Sequence, residues 1–145
     1  MRRVLAYSTN EYNRERLGEI VLYDRDAGQR VDLPNLNSAS MDTEPAIRHN
    51  GRFIAFVTDR PGGEGARDIG LYDRHTSQLV PLPGLNSVGQ KQSPSISSDG
   101  RCIAFVSERL EGEGERDIYV YDRETEVLFS LPGLNATRSW AVATW

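Results

Sequence analysis

Apolar positions along the chain come in short runs rich in β-branched and aromatic residues, cut by Gly, Pro, Asn and Asp, and they show no helical spacing. The run at 101–106, Arg-Cys-Ile-Ala-Phe-Val, and the run at 117–122, Asp-Ile-Tyr-Val-Tyr-Asp, read as neighbouring strands. A strand at 94–97 precedes them across Ser98-Asp99-Gly100, where Asp-Gly supplies the positive φ angles of a two-residue hairpin. A fourth strand at 127–131 stops at Pro132-Gly133. These four are labelled strands A to D.

The same pattern recurs without a gap every 49 residues. Tyr-Asp-Arg stands at Tyr23-Asp24-Arg25, Tyr72-Asp73-Arg74 and Tyr121-Asp122-Arg123, and Leu-Pro-x-Leu-Asn follows at 33–37, 82–86 and 131–135. Between 45–86 and 94–135, 25 of 42 positions are identical, which chance does not give. Four short antiparallel strands at a period of about 40–50 residues describe one blade of a β-propeller. The fold class is therefore all-β, with three blades at roughly 1–37, 43–86 and 92–135.

The string Pro-x-Ile-Ser-x-Asp-Gly-Arg-x-Ile-Ala-Phe-Val-Ser-x-Arg at 94–109, followed by Asp-Ile-Tyr-Val-Tyr-Asp, resembles the WD40-like PD40 repeat of TolB-type propellers. The resemblance covers 94–131 and 45–82 well and 3–33 in part. It implies a six-bladed propeller that works by binding other proteins, and by analogy a periplasmic setting for an exported form. The opening Met1-Arg2-Arg3-Val4-Leu5-Ala6-Tyr7 breaks off at Ser8-Thr9-Asn10, too soon for a signal peptide, so the chain as written reads as cytoplasmic.

Three blades are fewer than the ~4–8 that close a ring. Arg3 aligns with Arg52 and Arg101 at the head of strand B, so the first repeat lacks a strand A. Residues 141–145 supply one: Ala143-Thr144-Trp145 align with Pro45-Ala46-Ile47 and Pro94-Ser95-Ile96. A homodimer in which each C-terminal strand completes the other chain's first blade, beside Arg3 and Leu5, gives six blades. A nine-bladed trimer and a piece of a longer chain are the alternatives.

Composition narrows the chemistry. The net charge of −4, with both signs interspersed, argues against nucleic acid. No apolar run is long enough to insert in a membrane as a helix. One cysteine, Cys102, rules out an intrachain disulfide. The two histidines, His49 and His75, fall on opposite faces, and no nucleophile elbow or phosphate loop is present, so no catalytic residue is assigned. A carboxylate pair of the glycosidase type stays open, because the chain has many carboxylates.

The B–C and D–A loops share one face and are the longer ones, which makes that face the expected binding surface. In the B–C loops Asp59, Glu64 and Asp68 repeat as Glu108, Glu113 and Asp117, among glycines. Such oxygens suit Ca²⁺. Solvated acidic tips neutralised by Arg60, Arg67, Arg109 and Arg116 are the preferred reading, and no other cofactor is implied. The D–A loops differ near the axis, Asp42-Thr43-Glu44 against Lys91-Gln92-Ser93 and Trp140-Ala141-Val142. Trp140, Arg138, Asp42, Glu44 and Lys91 at the channel mouth, with Arg48 along the channel, are the candidates for binding a protein or peptide. Packing at the dimer joint is the preferred role for Trp140. A lectin-like small-ligand site is the alternative function, and a hydrolase or lyase the weakest. Asp24, Asp73 and Asp122, and Asn37, Asn86 and Asn135, read as turn residues.

Overall fold

The computed structural model describes residues 3–9, 18–48, 50–109 and 116–135. Its strands are β1 (Val4–Thr9), β2 (Glu19–Asp24), β3 (Gln29–Val31), β4 (Asp42–Ile47), β5 (Phe53–Thr58), β6 (Asp68–Asp73), β7 (Gln78–Leu79), β8 (Lys91–Ile96), β9 (Cys102–Ser107), β10 (Asp117–Asp122) and β11 (Val127–Ser130). They form three antiparallel sheets: β1-β2-β3, β4-β5-β6-β7 and β8-β9-β10-β11, here blades 1 to 3. No helix occurs among the described residues.

Blades 2 and 3 run A-B-C-D, as the repeat requires. Among the described residues blade 1 begins at strand B, with β1 at the edge of its sheet. The B–C register is the same in every blade: Val4 opposes Asp24, Phe53 opposes Asp73, and Cys102 opposes Asp122. A register that fixes which side chains share a face also fixes what each blade can bury against the next.

Strand A differs from its expected form. It starts three residues earlier, at Asp42 and Lys91, so these residues lie in strands rather than loops. The reason is a β-bulge. Pairing jumps from Thr43 to Ala46 and from Gln92 to Ser95, leaving Glu44-Pro45 and Ser93-Pro94 unpaired. Proline lacks an N–H for the ladder, and a bulge is where a strand accommodates it. Glu44 and Ser93 each take φ of 50° there.

The A–B turn also differs. Ser97 N–H bonds the Cys102 carbonyl at 2.9 Å, which leaves four residues in the loop, not two. Only Gly100 has positive φ, 75°. Asp99 acts through its carboxylate, which accepts from Ser97 Oγ at 2.6 Å and Arg101 N–H at 3.0 Å.

Two apolar cores lie between blades. Ile20 and Leu36 of blade 1 pack with Ile54, Phe56 and Tyr72 of blade 2. Ala55, Val57, Ile69, Leu71 and Leu85 of blade 2 pack with Ile96, Ile103, Phe105, Tyr119 and Tyr121 of blade 3. The alternation of strand B explains both: Ile54 and Phe56 face backwards, Ala55 and Val57 forwards. On the axis side β4 packs against β1 and β8.

Candidate functional site

The B–C and D–A loops meet on one face, and their geometry is set by buried charges. Asp42 is fully buried. Its carboxylate accepts from Ser38 N–H at 2.6 Å, Ser38 Oγ at 2.8 Å and Arg60 Nη2 at 3.1 Å. Arg60 also donates to the Leu36 carbonyl and lies 5.4 Å from the Phe56 ring centroid. Arg60 thus ties the D–A loop entering blade 2 to the B–C loop within that blade.

The corresponding position in blade 3 holds Lys91, also fully buried. Its ammonium donates to the carbonyls of Ser87 and Gly89 and stands 3.8 Å from Asp68 Oδ1. Burial pushes its pKa down from the usual lysine value, while Asp68 opposes the shift. Arg109 donates to the Leu85 carbonyl, the counterpart of Arg60 on Leu36. Opposite charges therefore do the same mechanical work in the two blades. Asp42 draws in N–H groups and an arginine; Lys91 draws in carbonyls.

Asp42 and Lys91 do not line a channel mouth for a ligand, contrary to their sequence assignment. Both side chains are sealed inside their own D–A loops. Glu44 sits in the bulge of β4, and its carboxylate accepts the Ser93 N–H of the next blade at 2.6 Å, linking two innermost strands. Arg48 is exposed beside the A–B turn, on the opposite face, where it lines a shallow hollow with Asn50, Phe53 and Asp99. Trp140 and Arg138 lie outside the described residues.

The acidic loop residues are not brought together either. Asp59 accepts the Met41 N–H at 2.7 Å. Asp68 accepts the N–H groups of Glu64 at 2.8 Å and Gly65 at 3.1 Å, which closes the loop upon itself. Glu64 is exposed. Glu108 pairs with Arg116 at 3.1 Å, and Asp117 is buried. Glu113 lies outside the described residues. Among the described residues no group of three or more His, Cys, Asp or Glu side chains could hold a metal ion. The carboxylates turn instead to backbone N–H groups and arginines.

Of the ring-closure residues, Leu5 lies exposed on β1 and Arg3 just before it, with the Arg3 N–H on Asp26 Oδ2 at 3.1 Å. Ala143, Thr144 and Trp145 lie outside the described residues. Asp73 and Asp122 hold the C–D turns as expected, accepting the His75 and Glu124 N–H groups, each at 2.9 Å. They also pair with Arg52 at 2.8 Å and Arg101 at 2.6 Å.

Two roles were not anticipated. Asn37, Asn86 and Asn135 are latches rather than turn residues. Each side-chain amide bonds both the N–H and the carbonyl of one strand C residue: Ile20, Ile69 and Ile118, at 2.8–2.9 Å. Tyr72 and Tyr121 send their hydroxyls back to the preceding blade, to the carbonyls of Pro34 at 2.7 Å and Pro83 at 2.8 Å. The only sequence signal for either role was recurrence at the 49-residue period.

No protein-family model matches the chain, and no curated protein does. Solved structures do match. TolB from Acinetobacter baumannii shares 18% identity over 90% of this chain and 32% of its own, with a TM-score of 0.61. The putative TolB from Agrobacterium tumefaciens shares 19% over 88% of this chain and 41% of its own, with a TM-score of 0.63. The β-propeller domain of the trilobed protease from Pyrococcus furiosus shares 18% over 90% of this chain and 40% of its own, with a TM-score of 0.55. The chain spans well under two thirds of each. Its class is the β-propeller. Within that class, the blades have the fold of TolB-like propellers.

Proposed function

We propose that the chain is a non-catalytic propeller element that binds a protein or peptide on the face of its B–C and D–A loops. The observation that supports this is the internal commitment of the charges on that face. Asp42, Asp68 and Lys91 are buried and bonded to the loops that carry them. They stiffen the loops instead of facing solvent. A rigid, loop-built surface loses little entropy when it captures a partner. What it exposes is mixed in chemistry, with Asp59, Glu64 and the apolar Val88 at 68% exposure.

Panning a random peptide library against the protein tests the reading. Recovered peptides should lose binding to Val88→Glu or Glu64→Lys and keep it with Leu79→Glu, on the outermost strand. Peptides indifferent to both loop-face changes would refute it. A thermal-shift series should show no rise in Tm with Ca²⁺ or sugars. A rise that EDTA or sugar removal reverses would favour the small-ligand reading.

A further inference from the structure

The two end faces of the chain carry residues that are core residues everywhere else. Leu36 and Leu85 are fully buried, yet Leu134, the same position of blade 3, is 50% exposed. Ile54 and Ile103 are fully buried, yet Leu5, their counterpart in blade 1, is 53% exposed. These exposures are complementary. Leu36 and Ile54 share one inter-blade core, and Leu85 and Ile103 share the other. One period further on, Leu134 would meet Leu5.

The polar pattern agrees. Tyr72 donates to Pro34 and Tyr121 to Pro83, so the next pair in the series is Tyr23 with Pro132. Both are present, at opposite ends of the chain, with blade 2 between them. The chain therefore cannot join its own ends, but its front face has the chemistry that its rear face accepts.

We infer that a second copy of this chain covers both end faces, blade 3 of each packing on blade 1 of the other. Leu134 of one copy and Leu5 and Tyr23 of the other form a third inter-blade core. Tyr23 donates to the Pro132 carbonyl across the joint. Two copies give six blades, inside the usual ~4–8, whereas three would give nine. Two-fold closure leaves no free face to propagate a filament. This inference does not depend on the proposed loop-face function.

The test uses the full chain and its single cysteine. Arg123 lies 4.3 Å over the Phe53 ring, so one period further on Arg25 of one copy faces Cys102 of the other. Arg25 is exposed, and Arg25→Cys leaves the cores intact. Treated with a short bis-maleimide, Arg25→Cys should yield a covalent dimer and nothing larger, and adding Cys102→Ser should abolish it. Leu134→Glu in the same background should cut the cross-link at least tenfold, while Val88→Glu should not. Uncross-linked or internally linked monomer would overturn the inference. So would a ladder beyond the dimer, or a yield that Leu134→Glu leaves unchanged.

Discussion

Asp73 and Asp122 show how one side chain fixes a turn. The arginine hydrogen bond from Arg52 or Arg101 holds each carboxyl below its usual range, with the backbone N–H groups of the turn adding to it. A carboxyl depressed on folding contributes stability that is complete above its unfolded value of about 4 and is lost as pH falls below it. Arg101→Gln should therefore lower Tm at pH 7, and the difference from the unaltered chain should shrink between about pH 4 and pH 2. Thermal melts across that range check this. Lys91 is the opposite case, a buried cation on two carbonyls and one carboxylate. Lys91→Ala should cost about 3 kcal/mol in urea unfolding, the usual result of removing one partner from a buried charged group. A loss under about 0.5 kcal/mol, typical of surface substitutions, would contradict the assignment.

At the scale of the element, strand D is short, and the asparagine latch extends its work. β7 pairs with only Tyr72 and Asp73, and Asn86 then bonds Ile69 at the other end of β6. Asn86→Ala should cost about 2–4 kcal/mol, since it strips partners from two backbone groups, and Asn86→Asp, which keeps the acceptor, about half of that. Urea titration of the three proteins distinguishes the latch from a turn residue, for which the two variants would be alike. Strands B and C were legible in the sequence because they are short runs rich in β-branched and aromatic residues with polar or turn residues marking their ends. Strand A was legible only in its second half. Pro45 and Pro94 read as strand starts, whereas each occupies a bulge inside the strand. Asp42 and Lys91 read as exposed because nothing in a linear pattern shows that the Ser38, Ser87 and Arg60 partners fold back over them. Their burial is a tertiary fact.

At the scale of the molecule, the repeat predicts more than the blade. That the first repeat opens on strand B was legible from the offset of Arg3 against Arg52 and Arg101, and among the described residues its sheet has the order β1-β2-β3. The proposed joint between the two end faces was not. Leu5, Tyr23, Pro132 and Leu134 look like any other repeat positions in the sequence. They stand out only when their equivalents are seen buried between blades. The proposed pairing of two copies through blades 1 and 3 is tested most directly by the mass in solution. Light scattering on the 145-residue chain should give twice 16.2 kDa at micromolar concentration, falling to 16.2 kDa for Leu134→Glu. A well-folded monomer of the unaltered chain at that concentration would contradict the account.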